Sequence, residues 1–144
     1  MIRYQAAKFL IALVCALGVG SCVDVNGGAV ELRWEIRKTD GTKTTCTDAR
    51  VAWVRLVAAP TSGATPITRA WLCDDYQAAT AFDVPPGRYA LSIESVCRGD
   101  DAGPVANEHV PEPIIRDITS GNVAELNTLL IEKLPGFGLI CPAP

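Results

Sequence analysis

Hydrophobic and polar residues alternate with a period of two along much of the chain. From residue 30 to residue 37, the apolar residues Val30, Leu32, Trp34 and Ile36 alternate with charged ones. A period of two is typical of a β-strand with one buried and one exposed face. The same alternation returns over residues 89–96, and the chain is therefore predicted to consist mainly of strands.

Seven strands are predicted, and turns rich in Gly, Pro, Asp and Ser separate them. In the second, Val54 and Leu56 are expected on one face and Val51 and Trp53 on the other. Segment 123–132 also suits a helix because it contains Ala, Glu and Leu, but the preceding Ser-Gly-Asn turn favours a strand. The predicted strands cover residues 30–37, 49–58, 67–73, 79–84, 89–97, 113–118 and 123–132.

The first 22 residues have the organisation of an export signal. A basic start precedes an apolar run over residues 9–19, and the small residues Gly20 and Ser21 stand directly before Cys22. This signal helix is shorter than the roughly 20 residues that a spanning helix needs. The segment resembles the lipobox of bacterial lipoproteins, which implies cleavage before Cys22 and attachment of diacylglycerol and a further fatty acid such as palmitate. Val23, rather than Asp, after the cysteine implies the outer membrane.

The remaining chain has the length of one domain with one core. Residues 1–21 are predicted as the signal peptide and residues 22–28 as the lipidated cysteine and a flexible tether. Residues 29–134 form the predicted sandwich domain, and residues 135–144 an irregular tail rich in Pro and Gly. Removal of the two basic residues of the signal changes the net charge from −3 to −5. The scattered Lys and Arg form no basic stripe, so nucleic acid is not an expected partner.

An even number of cysteines in an exported chain predicts two disulfides. We favour pairing Cys46 with Cys73 and Cys97 with Cys141, and the two other pairings stay open. The cysteines form no Cys-x-x-Cys pair, and His109 is the single histidine. The sequence therefore predicts neither a metal site nor another cofactor. The cysteines after Cys22 are Cys46, Cys73, Cys97 and Cys141.

Residues 82–96, with the sequence FDVPPGRYALSIESV, place a Pro and Gly turn before an alternating strand. Gly87 is expected to adopt a backbone conformation that is costly to other residues. Tyr89 is expected to fill one end of the sandwich with its ring, while its hydroxyl stays near water. The segment resembles the signature of prealbumin-like sandwiches, a group that contains carboxypeptidase regulatory-like and CnaB-like domains. This resemblance implies a single antiparallel, Ig-like β-sandwich. With its lipobox and cysteines, the whole chain is similar to small lipoproteins of myxobacteria.

The sequence offers no catalytic constellation and predicts a protein that is not an enzyme. One histidine disfavours Ser-His-Asp and Cys-His catalysis, and the acidic pairs Asp74-Asp75 and Asp100-Asp101 are predicted in turns. Three tryptophans, on three different strands, are interpreted as core residues. Alternatively, two of them stack on an outer face and form a platform for sugar rings or peptide. These residues are Trp34, Trp53 and Trp71.

Together these features predict a lipid-anchored protein of the cell envelope that acts as a non-enzymatic binding or structural module. Its expected contacts are the membrane, through the lipid anchor, and an envelope protein or polysaccharide whose identity stays open. The alternative is an accessory or inhibitory subunit of a secreted or envelope enzyme, because prealbumin-like domains stand beside peptidases in some families. Fold resemblance alone does not choose between these functions.

Overall fold

Strands account for most of residues 25–96 and 108–133, which are the residues described by the computed structural model. Two β-sheets pack face to face around a hydrophobic core, which confirms the predicted β-sandwich. Nine strands occur within these ranges, and three of them are only two or three residues long. The strands are β1 (Ala29–Lys38), β2 (Lys43–Thr44), β3 (Trp53–Pro60), β4 (Ile67–Leu72), β5 (Gln77–Ala79), β6 (Gly87–Val96), β7 (Glu108–His109), β8 (Ile114–Ile118) and β9 (Val123–Lys133).

The first sheet has the strand order β2-β1-β9-β7, and β5 also pairs with β1. The second sheet has the order β4-β3-β6-β8, so β3 is an inner strand. Strand β9, which was the one ambiguous segment, pairs with β1 over ten positions. Among the described residues, no helix is long and apolar enough to span a bilayer.

Strands β1 and β9 run parallel, in contrast to the antiparallel pairing of all other described strands. The reason is the connection before β9. Strand β8 lies in the second sheet, and the turn at residues 119–122 leads from it to the first sheet. Strand β9 therefore begins beside the first residue of β1 and runs in the same direction. A bulge at Asn127 shifts the register. Because a bulge adds one residue to the strand, Leu126 and Leu129 are both buried although three positions separate them.

The core is built from the inward positions of both sheets, as the period of two predicts. From the first sheet it includes the buried apolar residues of β1 and Leu126, Leu129 and Ile131 of β9. From the second it includes Val54, Leu56 and Ala58 of β3 and Tyr89, Leu91 and Ile93 of β6.

The predicted strand over residues 49–58 begins only at Trp53. The residues before it form a short helix, α1 (Cys46–Ala49), because the Thr45 hydroxyl accepts a hydrogen bond from the Asp48 backbone N–H at 3.0 Å and caps the helix. Arg50 ends the helix in a left-handed conformation with φ of 56°. Val51 is buried but lies in the link to β3, so its predicted place on a strand face is wrong.

The strand predicted over residues 79–84 is also shifted, since β5 already ends at Ala79. The Thr80 hydroxyl accepts a hydrogen bond from the Val30 N–H at 3.0 Å and thereby takes the place of a backbone partner. After β5, the chain pairs again beside the start of β1 only through a single β-bridge between Val84 and Gly28. Strand β4 similarly ends one residue before Cys73, where a 3₁₀ turn over Cys73–Asp75 follows.

The register defines two ends of the sandwich, which we name by their composition. The glycine end comprises residues 25–28 and the loops at 61–66, 80–86 and 119–122, because Gly28 bridges Val84 and Gly87 pairs with Ile118. The disulfide end comprises the turn at 39–42, residues 45–50 and residues 73–76, which lie next to the opposite ends of the same strands. Strand β1 spans ten residues between these ends, a length of about 30 Å.

Candidate functional site

The disulfide end is organised around the bond between Cys46 and Cys73, whose Cα atoms are 5.8 Å apart. Cys46 begins α1 and Cys73 begins the 3₁₀ turn, and at both places the chain passes from one sheet to the other. The bond therefore joins the two crossovers, and it confirms this half of the predicted pairing. Both cysteines are buried. The predicted partners Cys97 and Cys141, and the predicted lipidation site Cys22, lie outside the described residues.

Trp34 is a buried core residue that contacts the backbone of Cys73. Its indole N–H donates a hydrogen bond of 2.8 Å to the carbonyl oxygen of Cys73. A buried indole needs such an acceptor to offset the loss of water. The 3₁₀ turn is therefore held at Cys73 both by the hydrogen bond from Trp34 and by the disulfide.

Tyr76 is held directly after this turn in a left-handed conformation with φ of 55°. Its N–H donates to the carbonyl of Cys73 at 3.2 Å, and its own carbonyl accepts from the Trp34 N–H at 3.1 Å. The Cys46 N–H donates a longer hydrogen bond, 3.4 Å, to the phenol oxygen. A left-handed conformation is unfavourable for a residue with a bulky side chain. These contacts hold Tyr76 in place, and the residue stays 39% exposed.

A groove of about 490 Å³ opens beside Tyr76 along the edge of β1. It lies between β5, which pairs with β1 as far as Arg33, and β2, which pairs from Ile36 onward. The gap in the strand pairing therefore creates the groove. Its walls combine aromatic, hydroxyl and charged side chains: Trp34, Glu35, Ile36, Lys38, Lys43, Thr44, Thr45, Asp48 and Tyr76.

Glu35 is the most strongly paired charge of the groove. Its carboxylate lies 2.5 Å from the Lys43 ammonium and 2.6 Å from the Arg37 guanidinium. The hydrogen bond from Lys43, followed by that from Arg37, lowers the pKa of Glu35 below its ordinary value. Glu35 is therefore ionised at neutral pH and has no proton to donate. Its position favours a structural role at the wall of the groove over acid catalysis.

The interpretation of the three tryptophans as core residues is wrong for Trp53, and the alternative of a stacked outer platform is not formed either. Trp71 is opposite Val54 and packs partly buried against the core, whereas Trp53 lies on the outer face of the same sheet, opposite Leu72. Trp34 belongs to the other sheet and is buried. The exposed aromatic ring near the groove is instead that of Tyr76, which directly follows the acidic pair Asp74-Asp75. No signal in the sequence distinguishes it, because its role depends on the disulfide and on the gap in the pairing of β1.

The predicted turn residues Gly87 and Tyr89 lie at the glycine end. Tyr89 is buried and starts the inward row continued by Leu91 and Ile93, as predicted. Its hydroxyl, however, donates a hydrogen bond of 2.9 Å to the carbonyl of Pro85. Such a bond to upstream backbone resembles the tyrosine corner of Ig-type sandwiches. The hydroxyl thus donates its hydrogen bond to the protein backbone rather than to water.

The expectation for the Gly87 backbone is wrong, since its φ is not in the positive range where other residues are strained. Glycine is favoured at this position because a side chain would have too little space. A Cβ at this position would lie 3.3 Å from the Cε2 atom of the Tyr89 ring. Any larger residue would therefore press against the ring that closes this end.

No group of three or more His, Cys, Asp or Glu side chains is placed to hold a metal ion within residues 25–96 and 108–133. Asp74 and Asp75 lie in the first turn of the 3₁₀ segment, as expected for acidic residues near an N-terminus. The second predicted acidic pair, Asp100-Asp101, lies outside the described residues.

No protein-family model matches this sequence, and no curated protein matches it either. Among solved structures, it is similar to a minor pilin, GBS52, of the Gram-positive pathogen Streptococcus agalactiae, with a TM-score of 0.47 and 14% identity over 81% of this chain. It is also similar to a Bacteroides thetaiotaomicron protein whose proposed role is polysaccharide binding, with a TM-score of 0.46 and 11% identity over 72% of this chain. The matches cover 48% and 46% of those two chains, so this chain spans about half the length of each. Similarities this distant carry no information on ligands.

Proposed function

We propose that this protein is a lipid-anchored, non-enzymatic binding module of the cell envelope, and that its ligand occupies the groove beside Tyr76. The observation that carries the proposal is the fixation of Tyr76. Two backbone hydrogen bonds, to Cys73 and from Trp34, hold the Tyr76 backbone in a left-handed conformation. A third bond, from the Cys46 N–H, reaches the phenol oxygen, and the disulfide joins Cys46 to Cys73. Strained residues that the surrounding structure holds in place cluster at functional sites.

The composition of the groove suits a carbohydrate chain. The ring of Tyr76 offers a flat apolar surface, and the hydroxyl and charged groups of Thr44, Lys38 and Asp48 surround it. Binding sites of this kind combine an apolar or aromatic surface with a few polar groups that fix orientation. Hydrolysis of such a ligand would require a carboxyl group that donates a proton beside a second carboxylate. Glu35 does not meet this need because its pKa is lowered by Lys43 and Arg37.

Lipid attachment at Cys22 is the second component of the proposal, and the sequence around that residue supports it. Small residues stand directly before the cysteine and follow an apolar run. Two or more acyl chains would hold the protein at the membrane, since each buried methylene contributes roughly 0.8 kcal/mol. The groove lies toward the disulfide end and borders residues 34–38 of β1, about 17 to 30 Å along the strand from Ala29. An anchored domain would therefore present the groove away from its attachment point.

Titration of the purified protein with polysaccharide released from bacterial envelopes, followed by calorimetry, tests the ligand. Tyr76→Ala is expected to weaken binding about tenfold, which corresponds to about 1.4 kcal/mol. Tyr76→Phe keeps the ring and should retain most of the affinity. Phe82→Ala is the matched control, because Phe82 is similarly exposed but lies at the glycine end.

Absence of saturable binding to any envelope polysaccharide would contradict the carbohydrate assignment. A cross-linked envelope enzyme recovered with the wild-type protein, and lost with Tyr76→Ala, would instead identify the accessory or inhibitory subunit. The anchor is tested separately by expressing Cys22→Ser in a bacterium that processes lipoproteins. A variant that stays in the membrane fraction with the mass of the wild-type protein would exclude lipidation at this residue.

A further inference from the structure

The chain becomes part of the folded domain earlier than the predicted tether of residues 22–28 implies. The Gly121 N–H donates to the carbonyl of Gly27 at 2.9 Å, and the Ser120 hydroxyl donates to that of Asn26 at 3.2 Å. Gly28 exchanges two backbone hydrogen bonds with Val84, 2.9 and 3.2 Å long. Gly27 and Gly28 are buried. The backbone is therefore fixed to the glycine end from Asn26 onward.

This attachment shortens the reach of a lipid anchor. Cys22 and Asn26 are four residues apart in the sequence. A fully extended chain of four residues spans at most about 14 Å. If Cys22 carries the acyl chains, the glycine end cannot lie much farther than this from the lipid headgroups. This reach of about 14 Å is about half the length of β1, which is about 30 Å.

The surface beside the attachment point is apolar. Val25, Phe82 and Val123 are 39%, 44% and 45% exposed. Val123 is paired with Ala29, and the carbonyl of Phe82 lies 2.6 Å from the position that a Cβ of Gly27 would occupy. All three residues are thus neighbours of the segment that leads to Cys22. Clusters of exposed apolar residues mark contact surfaces more often than single ones do.

The glycine end also carries little charge. Its loops at 61–66, 80–86 and 119–122 contain one charged residue, Asp83, and this residue forms an ion pair with Arg69 at 2.6 Å. The disulfide end differs, because its turns contain several charged residues: Asp40, Asp48, Arg50, Asp74 and Asp75. Charged groups resist transfer from water toward the bilayer, whereas apolar side chains favour it.

We propose that the glycine end rests on the membrane that holds the lipid anchor, with Val25, Phe82 and Val123 in contact with the boundary between headgroups and acyl chains. The inference depends on the proposed lipidation of Cys22, which supplies the attachment. The short reach brings this end to the membrane, and the apolar side chains then hold it there. The sandwich stands on the bilayer with the disulfide end directed away, rather than rotating freely on a tether.

The experiment uses the full chain, processed in a bacterial host, labelled with ¹⁵N and inserted into lipid nanodiscs. A paramagnetic gadolinium chelate is attached to the headgroups of a fraction of the lipids. Backbone amide signals of Gly63, Gly121 and Phe82 are expected to be lost. Signals of Gly41 and Asp48 at the other end should be retained, because the two ends are about 30 Å apart.

Two variants with similar exposure at different places sharpen this test. Phe82→Glu should restore the signals of Gly63 and Gly121, because a charge opposes insertion. Leu130→Glu should leave the pattern unchanged, since Leu130 is 45% exposed on the outer face of β9 but lies opposite Glu35, toward the disulfide end. An unchanged pattern in Phe82→Glu would contradict the apolar contact.

The mass of the processed protein separates the two proposals. Acylated Cys22 with equal signal loss at both ends would overturn the orientation and leave the anchor intact. Acylated Cys22 with signal loss at the disulfide end alone would reverse the orientation and thus overturn it. Unmodified Cys22 would overturn the anchor and, with it, the membrane contact.

Discussion

The two ends of this sandwich are closed in different ways. At the disulfide end, a covalent bond between Cys46 and Cys73 joins the two crossovers and leaves a groove beside an exposed tyrosine. At the glycine end, the buried ring of Tyr89 fills the space between the sheets, and Gly28 lets three chain segments meet closely. The first end is held by a covalent bond, whereas the second is held by packing around Tyr89 and Gly28, beside a groove of about 580 Å³ that residues 61–66 and 85–89 line. We expect ligand binding to depend on the first end and folding to depend on both.

The largest expected effect on stability is at the glycine end. Tyr89→Ala should lower the free energy of unfolding by about 3 to 5 kcal/mol, because it removes a large buried aromatic ring. Tyr89→Phe removes only the hydrogen bond to Pro85 and should cost about 1 kcal/mol. Denaturant unfolding midpoints measure both. Ser92→Ala is a control on the outer face of the same strand. Equal midpoints for Tyr89→Ala and Ser92→Ala would refute the role of this ring in closing the sandwich.

A slightly smaller loss of unfolding free energy is expected when the disulfide end loses its covalent bond. Cys46→Ala/Cys73→Ala opens a loop with a sequence separation of 27 residues, and the chain-entropy relation gives a cost of about 3.5 kcal/mol. Binding at the groove should weaken as well, because the bond positions the turn before Tyr76. Alkylation of the native protein without reductant should label none of the four cysteines after Cys22, as the predicted pairing of Cys97 with Cys141 also requires. Labelling of Cys46 and Cys73 would show that the bond is absent.

A third prediction concerns the close approach at Gly28. A Cβ there would lie 2.5 Å from Ile118 Cγ2 and 2.6 Å from the carbonyl oxygen of Thr119. Gly28→Ala must therefore displace backbone, and we expect a loss of about 1 to 3 kcal/mol in unfolding free energy. Gly41→Ala is the control at the other end. Its φ of 80° strains any side chain, but a Cβ there meets no atom within 4 Å. A smaller loss for Gly28→Ala than for Gly41→Ala would contradict the packing described for this end.

The smallest effect is the dependence of stability on pH at the groove. The pKa of Glu35 is lowered in the folded state by Lys43 and Arg37. Stabilisation by this carboxylate is therefore present above the ordinary Glu pKa of about 4.3 and is lost as the pH falls through the lowered value. Glu35→Gln should flatten the acid side of the stability profile slightly. Ser92→Ala removes no ionisable group and is the control that should leave the profile unchanged. A profile that Glu35→Gln does not alter would contradict the contribution of these ion pairs.

The strands were predictable from the sequence because their alternation is a direct record of burial on one face. This holds for β1, where the period of two identified Val30, Leu32, Trp34 and Ile36, and all four are buried. The ends of the elements were less predictable, since hydrogen bonds of single side chains decide them. The helix that Thr45 caps directly precedes β3, which begins four residues later than predicted, and Thr80 ends β5 early. No periodicity encodes such bonds.

The candidate site was only partly predictable, for a related reason. Pairing of Cys46 with Cys73 could be proposed from their number and order. The importance of Tyr76 could not, because it depends on the gap between β5 and β2 along β1 and on the distant Trp34. Glu94 is a further example of a contact that the sequence does not predict. The alternation of residues along β6 suggests an exposed position, but the side chain forms a shielded ion pair with Arg55 at 2.6 Å.

The parallel pairing of β1 with β9 has a mechanical consequence. A force applied between the proposed anchor, which precedes β1, and the chain beyond Lys133 would pull the two strands in opposite directions along their common ladder. The hydrogen bonds at all ten paired positions would then resist in shear at the same time. In a terminal antiparallel hairpin pulled at its open end, they would break one after another instead. Single-molecule stretching from residue 22 to residue 133 should therefore show one high-force rupture, followed by release of the remaining sandwich.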